Sequence, residues 1–269
     1  MGKIFYLITA LLITSAGHSQ TAEDFYNKGA AKYHLQDYIG AIADFTKAIE
    51  LDPTDVWAYS NRGVAKADLQ DYRGAISDYT KAIEINPELA DAYFNRAVAK
   101  ADLQDYRGAI SDYTKAIEIE PKNVEAYFNR GSAKTYLQNH MGAIADYSKA
   151  IEINPELGEP YYNRGLAKYD LQDFRGAIAD YTKSIEIEPK NAGAYCNRGL
   201  AKRGLQDHMG EIADYTKAIE IDPKFAGAYY NRGLAKIELG QKDSGCLDLS
   251  KAGELGYAQA YEKIKKFCQ

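Results

Sequence analysis

The apolar and small residues of this chain recur at helical spacing, and the whole pattern then starts again every 34 residues. Asn27, Asn61, Asn95, Asn129, Asn163, Asn197 and Asn231 mark the period, with no insertion or deletion between them. With the register set at Ala22, seven segments follow: 22–55, 56–89, 90–123, 124–157, 158–191, 192–225 and 226–259. In places the repetition is literal, since VAKADLQDYRGAISDYTKAIEI runs from Val64 to Ile85 and again from Val98 to Ile119. An active site gains nothing from such a copy, whereas a stacking surface needs the same contacts made again.

Each segment divides into two predicted helices. The first carries an aromatic at position 4 (Phe25, Tyr59, Tyr93, Tyr127, Tyr161, Tyr195, Tyr229), Gly or Ala at 8 and Leu at 14, offsets that share one side of a helix. The second has small residues at 20 and 27 with an aromatic between them at 24 (Phe45, Tyr79, Tyr113, Tyr147, Tyr181, Tyr215), so a large side chain can sit over a small one. Proline at 32 (Pro53, Pro87, Pro121, Pro155, Pro189, Pro223) stops the second helix, because it lacks an N–H and crowds the preceding turn. The expectation is an antiparallel helix pair per segment.

With the aromatics at 4, 17 and 24, small residues at 8, 20 and 27, Leu at 14 and Pro at 32, residues 22 to about 259 resemble the tetratricopeptide repeat family. The resemblance implies an all-α, right-handed superhelical solenoid of antiparallel helix pairs. It also implies a groove that holds partner peptides. Several residues depart from the family pattern: Arg or Lys stands at 7, Lys at 11, His140 and His208 at 17, and Glu211 where Ala is expected. The sixth segment is therefore expected to pack less tightly.

The charges at position 7 (Lys28, Arg62, Arg96, Arg130, Arg164, Arg198, Arg232) fall on the inward stripe and need partners. Asp at 23 (Asp44, Asp78, Asp112, Asp146, Asp180, Asp214, Asp248) lies opposite in a hairpin folded near position 15, which predicts an ion pair within every segment. The Lys at 11 has a stem that can cover apolar surface. Sequence names no partner for it.

The seventh segment loses the pattern in its second half, and YAQAYEKIKKFCQ then supplies one more amphipathic helix, 258–269, expected to cap the stack. Cys246 and Cys268 each lie eleven residues from Tyr257, so a hairpin turning there brings their sulfurs together. A disulfide and two buried thiols are the two readings of that pair. Cys196 is expected as a free thiol on the groove face.

Net charge is −5 with lysine and glutamate interleaved, and no basic stripe exists to meet a phosphate backbone. Nucleic acid is not an expected partner. Residues 1–19 read as a signal peptide, with Lys3, an apolar run from Ile4 to Ile13, and small residues at Gly17 and Ser19 for cleavage after Ser19; cleavage after Gly17 is the second choice. Ten apolar residues fall short of the roughly twenty that span a bilayer. A periplasmic or extracellular location is expected, where disulfides persist.

Function is expected on the side of each first helix that packing leaves over. Position 5 there carries Tyr26, Phe94, Phe128, Tyr162 and Tyr230, with Ser60 and Cys196 in the other two segments, and position 6 is Asn27, Asn61, Asn95, Asn129, Asn163, Asn197 and Asn231. Aromatic rings on an open face are anchors, and an amide offers both donor and acceptor to an extended peptide backbone. The asparagines could equally bond within the stack and support it. Acidic residues at positions 2 and 13, among them Asp91, Glu125, Glu159, Asp102 and Asp170, favour a basic or neutral segment. The Lys and Asn clamp by which some family members hold a terminal carboxylate is missing.

Against an enzyme, His34, His140 and His208 sit at unlike positions, and no HExxH, GxSxG, P-loop or CxxC spacing occurs. The pairs His140–Met141 and His208–Met209 fill aromatic slots rather than define a soft-metal site, so neither cofactor nor metal is expected. The reading is a non-enzymatic protein-binding scaffold; a self-associating array is the first alternative and an accessory metal or redox protein the last.

Overall fold

The structure, a computed structural model, describes residues 20–268; the segment read as a signal peptide lies outside them. The chain divides into two compact units at Ile85/Asn86. The first holds two hairpins, α1 (Ala22–His34) with α2 (Tyr38–Leu51), and α3 (Val56–Asp68) with α4 (Tyr72–Ile85). In the second, α5 (Ala90–Asp102) pairs with α6 (Tyr106–Ile119), α7 (Val124–Tyr136) with α8 (His140–Ile153), and α9 (Gly158–Asp170) with α10 (Phe174–Ile187). There follow α11 (Ala192–Gly204) with α12 (His208–Ile221), α13 (Ala226–Glu238) with α14 (Lys242–Glu254), and finally α15 (Gln259–Phe267). Within each unit consecutive helices pack on one another, and the described residues contain no strand. The fold is an all-α repeat solenoid.

Local chemistry sets the corners. The side chain at position 16 (Asp37, Asp71, Asp105, Asn139, Asp173, Asp207) accepts the backbone N–H of the glycine three residues on, at 2.9–3.1 Å. It thereby satisfies a donor that the second helix leaves open. A Cβ on Gly74 or Gly108 would run into that carboxylate, which explains the glycine. Gln36, Gln70, Gln104, Gln138, Gln172 and Gln206 make the preceding turn with φ of 58–63°, a left-handed conformation that Gly240 takes over in the last hairpin. The leucine at position 14 lies at this corner and is only partly covered, 38–45 % exposed in six hairpins and 80 % at Leu35, rather than buried as the periodicity suggests.

The core is a row of tyrosines among alanines. Tyr79, Tyr113, Tyr147, Tyr181 and Tyr215 are at most 2 % exposed, with fully buried alanines such as Ala75, Ala82, Ala143 and Ala150 four residues before and three after two of those rings. Each ring lies against position 8 of the facing helix, where a Cβ on Gly131 would fall 2.8 Å from Tyr147. Burial of one such side chain contributes about 1.5–3 kcal/mol. The sixth hairpin does not pack more loosely than the rest: Tyr215 and Ala218 are both at 0 % exposure, and Glu211 is fully enclosed beside them.

The expected ion pair joins positions 7 and 23 in six hairpins. Arg62 donates from Nε and Nη2 to both oxygens of Asp78, at 2.9 and 2.7 Å, and the same fork joins Arg130 to Asp146, Arg164 to Asp180, Arg198 to Asp214 and Arg232 to Asp248. Arg96 likewise donates to Asp112. The lysine at position 11 converges on the same carboxylate, as Lys66 does on Asp78 and Lys134 on Asp146, both at 2.7 Å. Each buried aspartate is thus held by two cations. The arginine also reaches the preceding hairpin, where Arg130 Nη1 donates to Thr114 and Arg198 Nη1 to Thr182, each at 3.0 Å. Its guanidinium lies over the tyrosine at position 4, 5.5 Å from the ring centre for Arg130 and Tyr127.

The first hairpin departs from this scheme. Lys28 is exposed and lies over Phe25, while Lys32 makes the 2.6 Å pair with Asp44. An ammonium lacks the planar fork that grips a carboxylate from position 7. At the other end of the chain α15 buries Ala260 against α14, and Tyr261 Oη donates to the Gly253 carbonyl at 3.0 Å. The hairpin brings the sulfurs of Cys246 and Cys268 into contact, with their Cα atoms 5.8 Å apart.

Candidate peptide-binding face

The side of the first helices that the sequence leaves out of packing is open only in part. Every aromatic at position 5 leans on an aromatic of its own unit: Tyr26 on Phe45 (5.7 Å between ring centres), Phe94 on Tyr113 (5.7 Å), Phe128 on Tyr147 (5.8 Å), Tyr162 on Tyr181 (5.8 Å) and Tyr230 on Tyr257 (4.7 Å). The rings are half-buried. Cys196 is not on that face at all. It is 5 % exposed in the cluster with Tyr215, Ala218 and Ala228, and burial pushes its thiol up to about 11.

The asparagines at position 6 split into two groups, and the residue 35 positions earlier decides which. Where that residue is tyrosine, the amide is engaged. Asn61 Nδ2 donates to Tyr26 Oη in the first unit and Asn197 Nδ2 to Tyr162 Oη in the second, both at 2.8 Å. Asn231 meets the Cys196 thiol. Asn129 and Asn163 instead follow Phe94 and Phe128, which have no hydroxyl to offer, and among the described residues no side-chain hydrogen bond holds their half-buried amides. Asn27 is exposed and Asn95 half-buried. The choice of Phe or Tyr at position 5 therefore sets which amide is engaged within the fold.

Recesses mark the same surface. In the second unit one of about 180 Å³ is bounded by Val98, Asp102, Tyr113, Asn129, Ser132 and Tyr136. Another of about 270 Å³ lies among Glu125, Phe128, Leu157, Glu159 and Pro160. The first unit has its own, about 230 Å³, floored by Tyr26, Tyr33, Phe45, Asn61 and Val64. Tyr33 donates to Asp68 at 2.7 Å, and burial together with that carboxylate pushes its hydroxyl up to about 12. Asp91, Asp102, Glu125, Glu159 and Asp170 are all exposed, so the second unit's face is acid-edged.

Two features escaped the sequence reading. Trp57, the single tryptophan, stands 55 % exposed at position 2 in the first unit, where the other segments carry an acid or glycine. Its signal was its isolation on a face otherwise read for position 5. The second feature is a meeting of His208, Glu211 and Glu238, whose ligating atoms all lie within 4.8 Å of one another.

The tetratricopeptide repeat model matches residues 56–89, 90–123 and 124–157, a TPR repeat model matches 29–70, 165–204 and 212–240, and a further tetratricopeptide repeat model matches 192–225. Among solved structures, MamA is 27 % identical over 64 % of this chain and 93 % of its own, with a TM-score of 0.61. The C-terminal part of a TPR repeat-containing protein from Cytophaga hutchinsonii is 18 % identical over 88 % of this chain and 98 % of its own, at a TM-score of 0.75. YrrB, described as a TPR protein with an unusual peptide-binding site, is 23 % identical over 68 % of this chain and 95 % of its own, at 0.63. Among curated proteins no relative matches. These matches and the hairpin architecture agree: the chain belongs to the tetratricopeptide repeat family.

Proposed function

We propose that the chain is a non-enzymatic scaffold that holds an extended, basic or neutral segment of a partner protein along the first helices of residues 86–268. The observation that carries this reading is the pair of amides, Asn129 and Asn163, unengaged among the described residues: Asn129 lines one recess, and Phe128, the half-buried ring that precedes Asn163 by 35 residues, lines another. An amide in that position pairs with the main chain of a ligand whatever its sequence, while the recesses admit its side chains and the acidic edge selects its charge. Selection of extended peptides from a display library on the full chain tests this. The double variant Asn129→Ala/Asn163→Ala weakens the selected peptides roughly thirtyfold, at about 1 kcal/mol per hydrogen-bonded amide. Asn197→Ala, already bonded to Tyr162, leaves them unchanged. Equal binding by the double variant and the wild type would refute groove recognition.

The same reading places the protein outside the cytoplasm, with a signal peptide removed after Ser19 and Cys246 joined to Cys268. What supports it is the composition of the first nineteen residues and the contact of the two sulfurs across the C-terminal hairpin. Intact-mass measurement on protein from the native host, before and after reduction with alkylation, reads both the new N-terminus and the two thiols. Free thiols at both positions would contradict the bond.

A further inference from the structure

Position 20 of the repeat is Ala41, Ala75, Ala109, Ala143 and Ala177 in the first five hairpins and Gly245 in the last. Only the sixth carries a charge there. Glu211 is fully buried, and its one ion-pair partner among the described residues is His208, whose Nδ1 lies 2.7 Å from Oε1. The Tyr215 hydroxyl donates to Oε2 at 3.3 Å. From the next hairpin Glu238 brings Oε2 to 3.8 Å from the same His208 Nδ1, while Arg203 holds its other oxygen at 2.8 Å. Each carboxylate thus has one oxygen fixed by an outer donor and the other turned toward a single point.

We propose that His208 Nδ1, Glu211 Oε1 and Glu238 Oε2 form a binding site for a divalent transition metal of the Zn²⁺ class. The donor set, one imidazole and two carboxylates with no sulfur, suits zinc with water completing the coordination. Tetrahedral zinc with bonds near 2.0–2.1 Å holds its ligands roughly 3.3 Å apart, between the two separations observed from His208. Tyr215 and Arg203 act as the outer shell that orients the ligands. Two carboxylates against one guanidinium leave a net negative charge, and the last turn of α13, which bears Glu238, adds the negative end of its dipole. Glu238 and His208 are 42 % and 31 % exposed on their side chains, so an ion has a path in from solvent. Met209 takes no part, since its side chain is turned outward at 69 % exposure.

Untagged full chain, stripped with chelator, is titrated with Zn²⁺ by calorimetry and with Co²⁺ by visible absorption. Wild type is expected to bind one equivalent and to melt at higher temperature with Zn²⁺ present. Glu211→Ala installs the residue that five other hairpins carry, so it keeps the fold while removing a ligand; it and Glu238→Gln should each lose more than about tenfold in affinity, the scale at which even outer-shell changes act. His140→Ala should bind as wild type. Absence of stoichiometric binding, or binding undiminished in Glu211→Ala, overturns the site and leaves an internal His208–Glu211 pair only.

Discussion

The corner between the fourth and fifth hairpins and the corner between the sixth and seventh are built from one plan. In the first, His140 faces Asp170 with Nδ1 3.6 Å from Oδ2, and Ala143 lies fully buried behind it. In the second, His208 faces Glu238 at 3.8 Å, and the fully buried residue behind it is Glu211. The tyrosine beside each buried position adapts to it. Tyr147 Oη lies 3.2 Å from Ser132 and 3.3 Å from Thr135, whereas Tyr215 Oη turns to Glu211. Among the described residues His140 Nδ1 is buried with no hydrogen-bond partner, and His208 Nδ1 has one. A repeat scaffold therefore keeps its architecture at one set of positions and can host a charged cluster by changing a single alanine at another.

If the two corners share a skeleton, removing its anchor should hurt both alike. Asp146→Ala strands Arg130 and Lys134, and Asp214→Ala strands Arg198 and Lys202, all in largely buried surroundings. Each is expected to cost about 3–5 kcal/mol by urea unfolding, because the lost partner leaves two cations uncompensated. A difference above about 1 kcal/mol between the two variants would break the comparison.

Exchanging the distinguishing residue gives the next largest effect. Ala143→Glu adds a methylene and a carboxylate to a closed space, at an expected cost of about 2–3 kcal/mol in metal-free protein. His140 and Asp170 then complete a second copy of the cluster, so Zn²⁺ should restore part of the loss and the binding stoichiometry should rise from one to two. Glu211→Ala runs the exchange backwards: in metal-free protein it should change stability by no more than about 1 kcal/mol, since the relief of a buried carboxylate is offset by the lost His208 contact and the space left beside Tyr215. A larger loss on that exchange would mean that the sixth hairpin depends on its glutamate.

Much of this skeleton was legible in sequence. The 34-residue period, the small and aromatic alternation and the Arg62–Asp78 type of pair follow from helical angles, because the repeat averages out everything that does not serve stacking. What was illegible depends on partners a period away or on the reach of a side chain. Asn61 and Asn129 are the same letter at the same position, yet among the described residues one is engaged and the other free because Tyr26 and Phe94 differ by a hydroxyl. Lys66 could not be assigned because its target already had a partner in Arg62. Leu69 matches the buried stripe by angle but stands at the helix end, where the corner turns it outward. Cys196 was read from its position on the wheel, and its shortness carried it under the surface instead.

That last residue gives the smallest difference between the two hairpins. Position 5 is Phe128 in the fourth and Cys196 in the sixth, so only the sixth places a titrating group against its core tyrosine. Burial raises the Cys196 thiol to about 11, above the 8.5 or so expected in an unfolded chain. The folded state therefore favours the protonated thiol: the contribution is complete below about pH 8.5 and is lost as pH rises through 11. Native protein at pH 8 should leave Cys196 unlabelled by an aromatic disulfide reagent until urea exposes it. Between pH 9 and 11 the wild type should lose more stability than Cys196→Ala. Parallel alkaline profiles for the two proteins would mean that the fall comes from the buried tyrosines common to both hairpins, and that position 5 does not distinguish them.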